Sequence, residues 1–312
     1  MSMFKTQELY QKVKEEFSGL IYGHQDLLDL ILMAFLAGGH VLLEGPPGTG
    51  KTMTAKVLAA LLAKNYKRLQ FTSDMLPSDI LGAHIYNPAE QNFKFVPGPV
   101  FTDFLLADEI NRTPPRTQSA LLEAMEERQV SIDGEQFKLS SSFFVLATQN
   151  PQDFEGTFLL PEVQLDRFLF KLVLAHSPQE IEQKIMAKAL SKQGFTFDLS
   201  PFTFDAAQIQ SEIQAVKVEE SLLAYVSLFL QKTRQEALLQ SGASIRAGLA
   251  LVKSVRVRAL FKGRDFVLPD DLKALALPVL RHRIKLNPEA QVAQVTELEV
   301  IDKILKEVPF PQ

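Results

Sequence analysis

The sequence predicts an α/β protein in which a parallel five-stranded sheet is followed by a smaller all-α domain. Over the first 175 residues, helix-like segments alternate with short apolar runs, which is typical of a parallel sheet covered by helices on both faces. Beyond residue 176 the apolar residues recur at helical spacing, and strand-like runs are nearly absent. The five apolar runs are residues 41–44, Leu69–Thr72, Phe104–Ala107, Phe143–Thr148 and Phe168–Leu174.

The composition sets the number of domains and narrows the class of partner. A chain of 312 residues, 46% of them hydrophobic, can form two cores, so we expect one domain over residues 1–175 and another over 176–312. The net charge of −4 argues against a general nucleic-acid-binding surface. The chain has no cysteine, which excludes disulfides and cysteine-ligated metals.

The longest apolar stretch, LLDLILMAFLAGGHVLL, does not have the pattern of a membrane span. Asp29 and the run Gly38-Gly39-His40 interrupt it, so we expect a buried helix that leads into a strand. The amino terminus is charged and lacks the apolar core of a signal peptide. We therefore expect a cytoplasmic protein without a membrane-spanning segment.

Two helices of the first domain are predicted from their apolar faces. One follows a glycine-rich turn at residues 45–50. The other has Thr113 as its expected N-cap and Pro114 at its first helical position. The residues expected to be buried are Val57, Leu58, Leu61 and Leu62 in the first helix, and Leu121, Leu122 and Met125 in the second.

Two polar segments interrupt the first domain. Residues 73–102 contain IYNPAEQNFKFVPGPVF, which predicts a hairpin inserted within a helix. Residues 128–142 alternate in polarity around Asp133-Gly134, a dipeptide that favours a two-residue hairpin turn. We expect both segments to be hairpins that interrupt the first domain.

The second domain is predicted to begin with a helix near Ser177. Ser177 is expected to be its N-cap, with Pro178 next and Glu180 closing a capping box. The basic run RHRIKL, residues 281–286, is interpreted as a solvated helix face. The stripes expected to be buried are Leu222, Tyr225, Val226 and Phe229; Leu249, Val252 and Val255; and Leu272, Leu275 and Leu280.

The glycine-rich turn after the first apolar run carries the strongest functional motif. Its sequence, GPPGTGKT, matches G-x-x-x-x-G-K-[ST] with a strand before it and a helix after it. The backbone N–H groups of such a loop turn inward around a phosphate, and the helix adds the positive end of its dipole. Lys51 is expected to reach the outer phosphates, and the Thr52 hydroxyl to ligate Mg²⁺. The expected phosphate cradle comprises Gly45, Pro46, Pro47, Gly48, Thr49, Gly50, Lys51 and Thr52.

Two acidic residues end the apolar run FLLA. Burying a carboxylate without a partner costs free energy, so Asp108 and Glu109 are expected to have a binding partner or a function. Beside a phosphate-binding loop, Asp108 is expected to hold Mg²⁺, directly or through water, and Glu109 to polarise the attacking water. The alternative is an acid pair solvated at the edge of the sheet.

Three further polar residues are candidates for the same chemistry. Asn150 ends another apolar run and could orient the water near the γ-phosphate, although a strand end before Pro151 is often only a turn. Arg167 precedes the fifth run, and Arg246 starts a helix of the second domain. Guanidinium groups suit phosphate oxygens, but a single arginine is more often a salt-bridge or surface residue.

This series of motifs resembles the AAA+ ATPases and, within them, the MoxR family. The resemblance covers nearly the whole chain and implies a P-loop NTPase domain followed by a helical lid domain. The segments that carry it are GHVLLEGPPGTGKT, LLADEINRTPPRTQSALLEAMEERQV, VLATQNPQDFEGTFLLPEVQLDRF and SIRAGLAL.

The resemblance implies a role for each candidate residue. Gly45–Thr52 is similar to Walker A, Asp108 and Glu109 to Walker B, and Asn150 to sensor 1. Arg167 resembles the arginine finger that serves the nucleotide of a neighbouring subunit, and Arg246 resembles sensor 2 of the lid.

The resemblance extends to the two polar segments and to the start of the chain. The segments near 85–100 and 130–140 resemble the helix-2 and pre-sensor-1 inserts of this clade. Ile21, Tyr22 and Gly23 stand where the family has its adenine pocket. Arg112 is either a second basic group at a subunit interface or one half of a structural ion pair.

The function that the resemblance implies is Mg²⁺-dependent ATP hydrolysis in a hexameric ring. Such a ring would remodel or activate partner protein complexes, including proteins with von Willebrand factor A domains. One alternative is a nucleic-acid or metal-chelatase motor subunit of the same clade. Another is a nucleotide-gated scaffold that hardly hydrolyses ATP, against which the set of Asp108, Glu109, Asn150 and Arg167 argues.

Overall fold

The computed structural model describes residues 4–150, 156–190 and 200–309. The strands are β1 Val41–Glu44, β2 Tyr66–Gln70, β3 Gly82–Asn87, β4 Asn92–Pro97, β5 Phe104–Asp108, β6 Gln129–Ile132, β7 Glu135–Lys138, β8 Phe144–Gln149, β9 Phe170–Val173, β10 Leu239–Ser241 and β11 Lys285–Leu286. The helices are α1 Lys5–Leu20, α2 Gln25–Leu36, α3 Lys51–Leu62, α4 Pro77–Leu81, α5 Pro115–Glu127, α6 Glu162–Leu165, α7 Gln179–Leu190, α8 Ala206–Ala215, α9 Glu220–Gln235, α10 Ile245–Phe261, α11 Pro269–Leu280, α12 Pro288–Val292 and α13 Glu297–Glu307. A short 3₁₀ turn, Ile110–Arg112, follows β5.

The predicted five-stranded parallel sheet is confirmed, in the order β2-β5-β8-β1-β9. Because all five strands run in one direction, their carboxyl ends lie at one edge of the sheet and their amino ends at the other. Successive side chains of β5 and β8 are buried on opposite faces, as the period of a strand requires. Leu105 and Val145 join the core that includes α5, while Phe104 and Leu106 join the core that includes α3.

The second of these cores extends beyond the sheet. Buried residues of α1 and α2 belong to the same continuous apolar cluster as buried residues of α9, α10, α11 and α13. Tyr10 of α1, for example, stacks on Phe261 at the end of α10 with ring centroids 4.2 Å apart. The amino-terminal helices therefore join the sheet to the helices that follow residue 200.

The predicted helical faces of α3, α5, α9 and α11 are buried as expected. Of the stripe predicted in α10, Val255 is buried as expected, but Leu249 is 57% exposed and Val252 is only partly buried. The buried face of α10 runs instead through Ala247, Gly248, Leu251 and Val255. A Cβ at Gly248 would lie 2.8 Å from Leu230 of α9, so this face is set by close helix packing rather than by the largest side chains.

Several element boundaries differ from those predicted. The helix α5 begins at Pro115 with Pro114 at its N-cap, so Thr113 instead ends the preceding 3₁₀ turn and does not cap the helix. The helix α7 begins at Gln179, one residue later than predicted. The strand β2 ends at Gln70 rather than reaching Thr72, because it is an edge strand whose exposed residues do not form an apolar run.

Both inserts contain the predicted hairpins. The antiparallel pair β6–β7 turns at Asp133 and Gly134, which both have positive φ. The pair β3–β4 follows the short helix α4, and the chain then returns to β5 through turns, so this hairpin is not inserted within a helix. Phe95 of β4 stacks on Phe137 of β7 at 4.0 Å between ring centroids, which joins the two inserts.

The basic run 281–286 does not form a solvated helix face. The helix α11 ends at Leu280, and the side chains of His282 and Arg283 that follow are buried. Lys285 and Leu286 form β11, which pairs with β10 in a two-stranded sheet. In the described part of the chain, no helix is both long and apolar enough to cross a membrane.

Candidate nucleotide-binding and hydrolysis site

The loop after β1 has the backbone geometry of a phosphate cradle. Gly48 and Gly50 have φ of +80° and +82°, a region that glycine adopts without steric cost. The helix α3 begins at Lys51, and the first N–H groups of a helix have no partner within it, so they are available to an anion. The Nζ of Lys51 donates to the carbonyl oxygens of Gly45 and Pro46, which folds the ammonium group over the loop.

A cavity of about 380 Å³ lies beside this loop. Ile21 and Tyr22 line it together with Met53 of α3 and Met186 of α7, while Gly23 lines a neighbouring cavity. Its volume and mostly apolar wall suit a flat heteroaromatic group such as a nucleotide base.

His24 joins the wall of this cavity to the cradle. Its Nε2 lies 3.1 Å from the carbonyl oxygen of Thr49, and burial lowers its pKa, against the effect of that hydrogen bond. The neutral imidazole therefore fixes the loop without adding a charge to the cavity.

Asp108 ends β5 facing the cradle, with only 6% of the residue exposed. Its Oδ2 lies 3.4 Å from the Thr52 hydroxyl and accepts a 2.7 Å hydrogen bond from Nη2 of Arg68. Its Oδ1 accepts a 2.6 Å hydrogen bond from the Thr148 hydroxyl. The hydroxyl and carboxylate oxygens of Thr52 and Asp108 are the hard ligands that Mg²⁺ prefers, so this pair fits the ion.

Glu109 follows in a left-handed backbone conformation, with φ 59° and ψ 52°. This conformation is uncommon for a residue other than glycine, and it turns the side chain away from the line of β5. The Glu109 amide donates to Oγ1 of Thr148 at 2.9 Å. Its Oε2 accepts from Nε2 of Gln70 at 2.8 Å and pairs with Nε of Arg112 at 2.9 Å. Arg112 is therefore engaged in an ion pair within its own chain.

Asn150 comes directly after β8, at the same edge of the sheet, and is 7% exposed. Its carbonyl oxygen accepts a 3.3 Å hydrogen bond from Nδ2 of Asn111. Pro151 and the following residues to 155, which belong to one of the motif segments, lie outside the described residues. The structure thus brings together the cradle, Asp108, Glu109 and Asn150.

Arg167 and Arg246 meet at a different place, around Glu126 at the end of α5. Nε of Arg167 lies 2.9 Å from Oε2 of Glu126, and Nη2 of Arg246 lies 3.3 Å from Oε1 of the same carboxylate. Arg246 is also 3.9 Å from Oδ2 of Asp166. The described residues that line the cavity beside the cradle do not include Arg246.

This arginine pair lies at the amino-terminal edge of the sheet. The amide of Leu169, two residues after Arg167, donates to the carbonyl oxygen of His40, just before β1. The cradle follows the opposite end of β1, which is about 13 Å away for four residues of strand. A guanidinium held at Glu126 therefore cannot contact phosphates bound in its own cradle.

Sequence reasoning missed three residues that position the acidic pair. Arg68 and Gln70 come from β2, which the apolar-run criterion misplaces, and Thr148 is named above only as the last residue of an apolar run. The sequence contains a signal that could have found them, because polar side chains at the ends of neighbouring parallel strands lie together at one edge of the sheet.

Comparisons with known proteins identify the family of the chain. A family model described as AAA, ATPase family associated with various cellular activities, matches residues 40–170, and one described as an AAA lid domain matches residues 231–304. Bacillus subtilis YeaC is 44% identical over 305 residues, covering 97% of this chain and 95% of its own. Mycobacterium tuberculosis chaperone MoxR1 is 39% identical over 307 residues, covering 95% and 81%.

A solved structure shows the same architecture. The crystal structure of a candidate ATPase from Cytophaga hutchinsonii superposes with a TM-score of 0.91 at 38% identity, covering 98% of this chain and 96% of its own. The matched segments include the cradle, the acidic pair and the helices after residue 230. The chain therefore belongs to the MoxR family of AAA+ ATPases.

Proposed function

We propose that this chain hydrolyses ATP with Mg²⁺ in an oligomeric ring, and that hydrolysis drives the remodelling of partner protein complexes. The observation that carries the proposal is the separation of two half-sites. The cradle and acidic pair lie at one edge of the sheet, and Arg167 lies at the other. A complete site forms when two copies bring these edges together.

Within one subunit, the cradle and Lys51 bind the triphosphate, and the cavity lined by Ile21 and Tyr22 takes the base. Bound Mg²⁺, held at Thr52 and Asp108, would neutralise charge on the outer phosphates. Glu109 polarises the attacking water, and Asn150 orients it. The left-handed turn and the hydrogen bond from Gln70 fix where the Glu109 carboxylate acts.

The neighbouring subunit supplies Arg167, and we assign Arg246 to the same donor edge because both arginines bind Glu126. The resemblance by itself implies only that Arg246 is sensor 2 of the lid, so this assignment adds a place at the subunit interface. A guanidinium delivered to the γ-phosphoryl stabilises the developing charge and contributes about 10³–10⁵ in rate in related enzymes. A solitary subunit should therefore be nearly inactive.

Exposed apolar side chains surround the donor edge and support its role as a subunit interface. Ile245 and Leu249 flank Arg246 on one face of α10, and Val163 of α6 precedes Asp166 and Arg167. These three are 67%, 57% and 75% exposed in the single chain. Large apolar side chains clustered around polar functional groups are typical of a protein–protein contact. A hexamer is the ring size that the family resemblance implies.

The two joined inserts are the candidate contact for a client protein. Ile85, Tyr86 and Phe93 at the β3–β4 hairpin are 56%, 50% and 70% exposed. The relative named chaperone MoxR1 supports a chaperone-like role, and proteins with von Willebrand factor A domains are the client class that we propose. Affinity capture with a Glu109→Gln variant held in ATP would identify the client directly.

Subunit mixing tests the proposal. Arg167→Ala and Glu109→Gln should each be inactive alone, because each lacks one half-site. Co-expressed, they form interfaces that pair an intact Glu109 with an intact Arg167, about one in four in a random equimolar ring. Recovery of turnover, together with specific activity that rises with protein concentration, supports the proposal. A fully active solitary Arg167→Ala subunit would overturn it, as would failure of the mixture to recover. DNA that strongly stimulates turnover would instead favour a nucleic-acid motor.

A further inference from the structure

We infer that Arg283 is the positioning residue for Arg167: it fixes the backbone from Asp166 to Leu169 and thereby places the guanidinium that the neighbouring site receives. The inference rests on the proposed function, because it gives Arg283 a role in the donor half of the site. Arg283 does not touch the nucleotide in either subunit under this scheme.

The hydrogen bonds of Arg283 converge on the segment that carries Arg167. Its guanidinium donates five hydrogen bonds, and four of them go to residues 166–169. Nε donates to Oδ1 of Asp166 at 2.6 Å, and Nη2 donates to the carbonyl oxygens of Asp166 and Phe168 at 3.0 and 2.7 Å. Nη1 donates to the carbonyl oxygen of Leu169 at 3.1 Å. Both backbone neighbours of Arg167 are therefore held by one side chain.

The remaining bond ties this grip to the carboxyl-terminal helices. Nη1 of Arg283 donates to the carbonyl oxygen of Val279 at 2.6 Å, inside α11, and Val279 is fully buried. His282 adds a second contact, because its Nε2 lies 2.9 Å from the carbonyl oxygen of Phe168. Burial lowers the pKa of His282 well below its usual value, so the neutral ring donates from Nε2. The backbone around Arg167 is thus held against the buried end of α11.

The burial of Arg283 shows that the arrangement is specific. Its side chain is 5% exposed, and a buried guanidinium is costly unless its fork of donors is satisfied. Lysine, with a single ammonium group, could not reproduce a planar fork that spans several carbonyl oxygens. Surface ion pairs at the same junction, such as Lys285 with Glu162 at 2.7 Å, are exposed on both sides and carry no comparable constraint.

Asp166 extends the arrangement to the second arginine of the donor edge. While its Oδ1 binds Arg283, its Oδ2 lies 3.9 Å from Nη1 of Arg246. Movement of α11 relative to the sheet would therefore shift Arg167 and Arg246 together. Since a displacement of about 1 Å in a catalytic group can cost on the order of 10²-fold in rate, this grip controls turnover at the neighbouring site.

The test uses Arg283→Gln and Arg283→Lys in the full chain. Arg283→Gln should bind Mg-ATP with the affinity of the parent protein, because its own cradle is intact, but its turnover should fall on the order of 10²-fold. The turnover of Arg283→Lys should lie between that of Arg283→Gln and that of the parent protein. Lys285→Gln, the matched control, removes an ion pair across the same junction and should keep parental turnover. Thermal unfolding of each variant shows whether it is folded, and if Arg283→Gln does not fold, Arg283→Lys carries the same test.

Subunit mixing separates positioning from a merely structural role. Arg283→Gln co-expressed with Glu109→Gln should regain turnover, because the Glu109→Gln subunit donates a correctly placed Arg167. Arg283→Gln co-expressed with Arg167→Ala should not regain turnover, because neither subunit donates a correctly placed Arg167.

The outcomes of mixing distinguish the two proposals. If the Arg167→Ala and Glu109→Gln pair regains turnover but the Arg283→Gln and Glu109→Gln pair does not, this inference alone is overturned. Recovery by Arg283→Gln with Arg167→Ala, or parental turnover of Arg283→Gln, overturns it too. If the Arg167→Ala and Glu109→Gln pair does not regain turnover, the proposed function itself is overturned.

Discussion

The guanidinium of Arg68 and the carboxylate of Asp108 form an ion pair at the proposed Mg²⁺ position, with Nη2 2.7 Å and Nε 3.2 Å from Oδ2. The same oxygen faces the Thr52 hydroxyl. A divalent cation and a guanidinium repel each other, so Arg68 must loosen its hold on Asp108 when Mg²⁺ binds there. The edge position of β2 allows this, since the Arg68 side chain is 43% exposed.

Replacing Arg68 by Gln should therefore strengthen the binding of Mg-ADP relative to metal-free ADP. Because the pair is partly exposed, we expect a modest gain of about twofold to fivefold in that ratio. Calorimetric titration with ADP, with and without Mg²⁺, measures it. Lys67→Gln, one residue away on the strand, is the control and should leave the ratio unchanged. A weaker preference for Mg-ADP in Arg68→Gln would show that Arg68 binds the phosphates instead.

Glu109→Gln should separate nucleotide binding from hydrolysis. The amide retains the shape of the side chain but cannot polarise water as a carboxylate does, and a general base contributes about 10²–10⁴ in rate. Turnover should fall by that factor while the affinity for Mg-ATP measured by calorimetry stays within about twofold of the parent. Lys51→Met should show the opposite pattern, with binding itself lost. Unchanged turnover in Glu109→Gln would remove Glu109 from its role.

The link between the two inserts should be measurable as protection from hydrogen exchange. Phe95 stacks on Phe137, and Nδ1 of His84 lies 2.8 Å from Oδ2 of Asp133. An aromatic pair contributes about 0.5–1.5 kcal/mol beyond the area that it buries, so Phe137→Ala should accelerate amide exchange in β3 and β4 by roughly twofold to tenfold. Gln136→Ala changes an exposed side chain one residue away on β7 and should not have this effect. Equal protection in both variants would show that the inserts are independent.

Acid should destabilise the protein through His40. This residue is buried between β1 and β8, where Nδ1 accepts from the amide of Val145 and Nε2 lies 3.2 Å from the carbonyl oxygen of Met125. Burial lowers its pKa from 6.5 to about 4. Between these values the unfolded chain binds more protons than the folded one, so stability is full above pH 6.5 and is lost as the pH falls towards 4.

The loss from His40 should approach about 3 kcal/mol at the lower limit, and the buried His282 adds to it in the same direction. Urea unfolding at a series of pH values measures the slope. His40→Gln should be less stable at neutral pH but should lose less stability on acidification. His176 is exposed, and His176→Gln should retain the parental pH dependence. A parental slope in His40→Gln would show that other groups cause the acid sensitivity.

The sequence by itself determined the class of fold and the chemistry of the cradle. The runs that became β1, β5 and β8 are central in the sheet, and burial on both faces leaves a continuous apolar signal that can be read locally. The GPPGTGKT motif needs only a strand, a turn and a helix in succession, so its geometry is also local. The Asp133-Gly134 turn is local in the same way, because two positive φ values suffice to form it.

Features that depend on contacts between distant parts of the chain were decided only by the tertiary structure. The edge strand β2 carries Arg68 and Gln70 to the acidic pair, but an exposed strand has no apolar run by which to find it. Arg246 lies with Arg167 around one carboxylate, and Arg283 is buried against residues more than 100 positions earlier in the chain. A basic residue has the same local signature whether water or a distant backbone accepts its hydrogen bonds, so its role follows from packing rather than from its neighbours in sequence.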